Sequence, residues 1–316
     1  MMWKIISLMA LFVFVSACTV TGNVVKEYND ETEVYFCPFD DCGSILAEKL
    51  KSANDINCAF YDMDLPEIAE IMKNKKARLV FDHESSIITS GSAVDPKYSQ
   101  MHNKFCILDN ETVLTGSMNP TKRDTSINYN NFLILHSKQL AKTYNDEFGE
   151  LFNKTFSGGR ETLQNSHYIN NNIVNVYFCP EDWCANKILY VLNEAKSSIY
   201  FITFSFTHDQ IGDLLVRKKK EGLNVAGLME KSQNNPYAEF QKLNESGIPV
   251  KWEATGANLH HKVFIIDEKV VVTGSMNPSL NGDTKNDENL LIIYDEELSK
   301  KYVSEFERIW KIIDEK

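Results

Sequence analysis

The chain has 316 residues, with 33 Lys+Arg against 44 Asp+Glu, a formal net charge of −11 and 43% hydrophobic residues. That apolar content supports a packed core and excludes a disordered or collagen-like chain; the length fits one large domain or two of medium size. The acidic balance argues against wholesale electrostatic capture of nucleic acid, which needs a basic face, although a local basic cleft is compatible with it.

The first element is an export signal. Lys4 precedes an apolar run from Ile5 to Val15 and then small residues, the pattern of a secretory signal over residues 1–17. The run is shorter than the roughly 20 residues that span a bilayer; an uncleaved anchor helix is the alternative. Val15-Ser16-Ala17-Cys18 resembles the lipobox of prokaryotic lipoproteins. That resemblance implies lipidation of Cys18, cleavage before it, and an exported, extracytoplasmic chain anchored to a membrane. Residues 18–31 are polar and aperiodic and read as a tether.

The remainder is a duplication. VYFCPFDDCGSIL from Val34 recurs as VYFCPEDWCANKIL from Val176, and HNKFCILDNETVLTGSMNP from His102 recurs as HHKVFIIDEKVVVTGSMNP from His260. Cys37 maps to Cys179, 142 residues later, and His102 to His260, 158 residues later, so the second copy holds 16 more residues between these landmarks. Repeats at 32–153 and 176–316 are joined by a Ser/Gly/Asn-rich linker at 154–175. Periodicity in the first repeat predicts a strand at Ile56–Tyr61, a helix at Pro66–Lys76 and a strand at Arg78–Asp82. A Ser/Gly-rich loop follows, in place of a further βα piece. Lys104–Asp109 and Thr112–Thr115 then form a hairpin around Asn110-Glu111, and Lys138–Phe152 a closing helix. The second repeat predicts strand Ile199–Phe206, helix Gln210–Gly222, strand Leu223–Met229, helix Tyr237–Gly247 and strand Ile248–Trp252. A hairpin of Val263–Ile266 and Val270–Thr273 around Glu268-Lys269 and a helix at Glu296–Ile313 complete it. The fold class is α/β, two similar repeats packed about a pseudo-two-fold axis with a site at their interface.

The chemistry lies in a pattern present twice: His102-x-Lys104, Asp109, Gly116-Ser117-x-Asn119, and His260-x-Lys262, Asp267, Gly274-Ser275-x-Asn277. Side chains at i and i+2 of a strand share a face, so imidazole and ammonium project together. The hairpin return brings Gly, Ser and Asn beside them, giving close backbone approach and neutral hydrogen-bonding groups. Two such sets suit a phosphodiester whose negative charge builds on its non-bridging oxygens. Asp109 and Asp267 sit at hairpin turns, where Asp also serves local structure. Identity at these positions, while Asn103 faces His261 and Cys106 faces Phe264 across the alignment, argues against a purely structural role.

These residues resemble the HKD signature of the phospholipase D superfamily, in both copies and over nearly all of the chain from Val34. The resemblance implies metal-free, cofactor-free cleavage of a phosphodiester through a covalent phosphohistidine. One of His102 and His260 attacks phosphorus; the other protonates the leaving oxygen and then activates water or an acceptor alcohol. Lys104, Lys262, Asn119 and Asn277 would hold the non-bridging oxygens, with Ser117, Ser275, Gly116 and Gly274 lining the substrate pocket. Asn286-Asp287-Glu288-Asn289 resembles the family's acidic segment after the motif, whereas the first repeat has Asn130 where Glu288 stands. A carboxylate raises the basicity of an imidazole and an amide only orients it, so the two histidines should differ, and the one buttressed by Glu288 is expected to be the nucleophile. Both half-sites in one chain imply a monomer.

Cys37 with Cys42, and Cys179 with Cys184, read as a local disulfide in each repeat of an exported protein, a Cys₄ zinc site being the alternative. Cys58 and Cys106 lie in predicted core strands opposite apolar counterparts and read as buried thiols, with an interstrand bridge left open. His83, His136, His167 and His208 lack metal-ligand spacing. Tethering and the negative charge favour a phospholipid headgroup as substrate. DNA or RNA is the alternative within the same chemistry, and a non-catalytic binding lipoprotein the reading from another class. An apolar rim with Ile87 and Ile88 would suit lipid, and a basic wall with Lys97 and Arg123 would suit nucleic acid.

Overall fold

A computed structural model describes residues 32–97, 100–253 and 255–315; the signal segment, Cys18 and the tether lie outside these. The first repeat runs β1 (Thr32–Cys37), α1 (Cys42–Ser52), β2 (Ile56–Phe60), α2 (Pro66–Lys75), β3 (Arg78–Phe81), β4 (Ala93–Val94), β5 (Lys104–Leu108), β6 (Thr112–Gly116), α3 (Lys122–Ser126), β7 (Asn130–His136) and α4 (Lys138–Phe152). The second runs β8 (Ser166–Ile169), β9 (Asn172–Cys179), α5 (Cys184–Asn193), β10 (Ser198–Thr203), α6 (Asp209–Lys220), β11 (Asn224–Glu230), α7 (Phe240–Glu245), β12 (Val250–Glu253), β13 (Lys262–Ile266), β14 (Val270–Gly274), α8 (Leu280–Thr284), β15 (Glu288–Tyr294) and α9 (Glu296–Asp314).

The two sheets have the same strand order. The first is β1-β7-β6-β5-β2-β3-β4; the second, in the matching direction, is β9-β15-β14-β13-β10-β11-β12, with β8 added beyond β9. In each, a parallel group (β2, β3 and β4; β10, β11 and β12) joins an antiparallel set through β5 or β13. The closing helices start where a polar side chain caps them: Ser137 Oγ accepts from Leu140 N at 3.1 Å and Asp295 Oδ1 from Leu298 N at 3.0 Å. Their apolar stripes, Leu140, Tyr144, Phe148 and Leu151 on α4 and Leu298, Tyr302, Phe306 and Ile309 on α9, fill one core shared by the inner faces of both sheets. Separate cores lie outside, under α1 and α2 in one repeat and under α5, α6 and α7 in the other. The layering is therefore helix, sheet, helix, sheet, helix. The two repeats share buried apolar surface and are held face to face.

Four expectations change. The first repeat lacks the second helix but keeps its last strand, shortened to Ala93–Val94 and still paired in parallel with β3. Each hairpin turns one residue earlier than expected: Asp109-Asn110 and Asp267-Glu268 hold positive φ of 53° and 56° in both turns, the backbone that a tight hairpin requires. The linker is not wholly irregular, since β8 pairs antiparallel with β9. Cys58 and Cys106 are not free thiols: directly opposite each other on β2 and β5, they form a disulfide, alongside Cys37–Cys42 and Cys179–Cys184. Sequence could not fix that pairing because the register of β2 on β5 decides which side chains meet.

Candidate active site

Each repeat delivers its H-x-K segment as the entry to a strand, with Lys104 opening β5 and Lys262 opening β13. The backbone of each histidine is bonded to the opposite repeat. His102 N donates to Asp287 O and Asp287 N to Gln100 O, both at 2.9 Å; His260 N donates to Tyr129 O and Tyr129 N to Asn258 O, again at 2.9 Å. Main-chain bonds that reach across the interface thus fix the two histidines relative to one another.

The side chains are crossed in the same way. Nδ1 of His102 lies 2.8 Å from both carboxylate oxygens of Glu288, and Nδ1 of His260 lies 2.9 Å from Asn130 Oδ1. Ser275 Oγ donates to Glu288 at 2.6 Å and Ser117 Oγ to Asn130 Oδ1 at 2.9 Å, while Asn130 Nδ2 donates to Asp124 O at 3.2 Å. Each Nδ1 therefore faces an acceptor and carries the hydrogen, which leaves Nε2 with its lone pair. Lys104 Nζ donates to His102 O at 2.7 Å and Lys262 Nζ to His260 O at 2.6 Å. Both ammoniums are buried, at 2% and 3% exposure. An ammonium carries three donors, so each has capacity left for an anion.

The electrostatics follow from burial. The His102 imidazole is held well below its ordinary range by burial and then by Lys104 and Lys262. His260 is held well below it by burial and then by Lys262, with Asp124 acting in the opposite sense. Burial pushes Lys104 down to about 8, and burial with the repulsion of Lys104 pushes Lys262 well down. Glu288 is pushed up to about 8 by burial, against the pull of Lys104 and the Ser275 hydrogen bond. Two buried lysines beside two imidazoles held below their ordinary range form a cluster in which a bound phosphodiester anion would favour the charged lysines.

Not every expected residue joins this cluster. Asp109 and Asp267 do not: they lie at the far ends of β5 and β13, roughly 16 Å along the strand from the lysines at ~3.3 Å per residue. Asp109 Oδ1 accepts from Asn54 N and Asp55 N at 2.8 Å, and Asp267 accepts from Lys196 N, Ser197 N and Ser198 N at 2.7–2.9 Å. They fasten the hairpin to the preceding strand. Ser117 and Ser275 are fully buried, their hydroxyls turned to Asn130 and Glu288 rather than to a pocket. Gly116 and Gly274, at φ +133° and +132°, press on the next strand: a Cβ there would meet Asn131 O at 2.3 Å and Asn289 O at 2.2 Å. Their role is backbone approach. Asn119 donates from N and Nδ2 to Asp124 Oδ2 at 2.9 and 2.8 Å, and its Oδ1 is buried without a hydrogen-bond partner. Asn277 Oδ1 accepts from Ser205 N at 3.4 Å. His261 points to the opposite face, its Nδ1 3.2 Å from Asn131 Oδ1 and its Nε2 3.5 Å from Glu305.

Sequence reading missed the aromatic walls and a crossed amide pair. Tyr61 and Phe204 follow equivalent strands, β2 and β10, and meet His102 and His260 edge-on at 4.9 and 5.0 Å between centroids. The same rings lie 5.1 and 5.2 Å from the Lys104 and Lys262 ammoniums. Their signal was an aromatic at the same place in each repeat. Asn131 Nδ2 bonds Thr273 and Tyr302, and Asn289 Nδ2 bonds Thr115 and Tyr144, so each reaches into the other repeat at 2.8–3.0 Å. No single repeat contains that relationship.

Comparison with known proteins agrees with the geometry. A phospholipase D of Rickettsia conorii is 30% identical over 146 residues, 45% of this chain and 73% of that protein. A mitochondrial cardiolipin hydrolase of Mus musculus is 31% identical over 132 residues, 41% of this chain and 59% of that protein. The solved phosphatidylserine synthase of Haemophilus influenzae shares the fold, with a TM-score of 0.66 at 12% identity over 89% of this chain and 86% of that one. The profile of the family described as Cardiolipin synthase, PLD-like domain matches residues 48–152 and 188–310, one segment in each repeat. With both repeats matched and both sheets wound alike, the chain belongs to this family of phospholipase D-like proteins.

Proposed function

We propose that the protein is an exported phosphodiesterase, anchored to a membrane through Cys18, that removes or exchanges phospholipid headgroups through a covalent phosphohistidine on His102. The observation that carries this reading is the crossed pair of imidazoles, each with a free Nε2, beside two buried ammoniums. Nε2 of His102 attacks phosphorus as the bond to the leaving oxygen breaks, and protonated His260 gives its proton to that oxygen. Neutral His260 then takes a proton from water or an acceptor alcohol, whose oxygen displaces His102 and restores both rings. Lys104, Lys262 and the Asn119 and Asn277 amides stabilise charge on the non-bridging oxygens; these lysines supply the positive charge that a metal supplies elsewhere. The Glu288 carboxyl, 2.8 Å from the His102 Nδ1, holds that ring's hydrogen and takes up its charge as the phosphorus bond forms, which makes His102 the nucleophile.

A lipid substrate is supported by the relatives named phospholipase D and cardiolipin hydrolase and by the net charge of −11. The test uses the full chain in detergent micelles, with EDTA present, on cardiolipin-containing vesicles and plasmid DNA in parallel. Headgroup release that persists in EDTA and vanishes in His102→Ala is expected. Cleavage of plasmid alone would transfer the chemistry to nucleic acid. Turnover of neither substrate would overturn the enzyme reading.

A further inference from the structure

The asymmetry between Glu288 and Asn130 leaves His260 without a carboxylate at the position where His102 has one. A carboxylate is nevertheless there, on a different element. Asp124, on α3 and 4% exposed, places Oδ2 3.5 Å from His260 Nδ1, beside the 2.9 Å contact from Asn130. The same Oδ2 accepts from Asn119 N and Nδ2, and Oδ1 accepts from Asn128 Nδ2 at 2.7 Å. In the second repeat the aligned residue, 158 positions on, is Gly282, where a Cβ would meet Asn277 O at 2.4 Å. Each repeat thus supplies one carboxylate to the histidine of the other, from two different positions. We propose that Asp124 is the displaced counterpart of Glu288, a positioning residue that favours the protonated form of His260 and aligns Asn119 for the substrate's non-bridging oxygen.

The inference rests on the phosphodiesterase reading and adds the origin of the acid. A general acid must hold its proton when substrate is bound. The titratable groups facing His260 are Lys262, Lys104 and His102, whose charged forms oppose that proton, and Asp124, which favours it. Asp124 stays ionised: burial pushes its carboxyl up, but His260, Asn128 and the two Asn119 contacts more than offset this and leave it below its ordinary value. A phosphodiester anion between the lysines would remove most of the opposing charge, leaving Asp124 to complete the balance.

The test compares wild type, Asp124→Asn, which keeps a side-chain acceptor for Asn119, and Asp124→Asn with Asn130→Glu, which restores a carboxylate at the position matching Glu288. The expected result is a kcat loss on the order of 10- to 100-fold in the single variant with KM little changed. The alkaline limb of its kcat profile should move to lower pH, and the double variant should recover both. Imidazole NMR titration of the full chain in micelles reads the same shift without turnover: His260 should titrate lower in Asp124→Asn. A wild-type His260 titration in the single variant, or a kcat loss without movement of the limb, would overturn the proposal. Failure of the phosphodiesterase reading is separate, because then wild type itself would show no turnover and the NMR shift alone would decide Asp124.

Discussion

His102 of the first repeat shares its Nδ1 hydrogen with Glu288 of the second, 2.8 Å from both oxygens of a carboxyl that is fully buried. Neither residue has that partner within its own repeat. Replacing Glu288 by Gln keeps an acceptor but removes the carboxyl that can ionise to balance the phosphorylated ring. Its kcat should fall on the order of 10²-fold to 10⁴-fold, with a smaller effect on KM. Steady-state kinetics on vesicles check this, and an unchanged kcat would remove Glu288 from the mechanism.

Lys104 gives the alkaline limit. Burial lowers its ammonium to about 8, so in the free protein it becomes neutral as pH rises through that value and loses its hold on the substrate's oxygens. The kcat/KM profile should therefore decline above pH ~8. A kcat/KM profile that stays flat to pH ~10 would contradict this assignment.

Asp267 serves as a test of what lies outside the cluster. It accepts three backbone N–H bonds and a Ser197 hydroxyl at the far end of β13. Asp267→Ala should cost about 1–3 kcal/mol of stability through lost charge-assisted hydrogen bonds, with kcat retained. Denaturant titration and kinetics on the same preparation separate the two effects.

Beneath the site, buried carboxyls give stability its own pH dependence. Glu147 is raised well above 4.5 by burial and then by Glu181; Glu181 rises to about 7 and Asp287 to about 8, burial leading in both. These groups bind protons more tightly folded than unfolded. Their contribution is full below the unfolded values near 4 and is lost as pH rises through the folded ones. Glu147→Gln should raise Tm at pH 8 and change it little at pH 4, as calorimetry at the two pH values would show.

The duplication was legible because both sequence landmarks survive in both repeats, and with it the α/β class, the hairpins and the two closing helices. The H-x-K pairs were legible for the same reason. What was hidden depended on contacts across the interface or on strand register. The Glu288–His102 and Asn130–His260 pairs join residues from different halves, and no local period encodes them. The Cys58–Cys106 bridge depends on how β2 sits against β5. Ser117, Gly116 and Asp109 carry the motif spacing yet serve packing, because spacing alone does not say which face of a hairpin looks into the cleft.

The most direct measurement is rapid-quench trapping of the covalent intermediate during phospholipid turnover, with the modified residue mapped by mass spectrometry. The account predicts the substrate-derived phosphoryl group on His102, more of it in His260→Ala, where the step that releases it lacks its base, and none in His102→Ala. Adducts mapping to His260 instead, or turnover that persists in His102→Ala, would contradict the assignment of the two histidines to a single phosphorus.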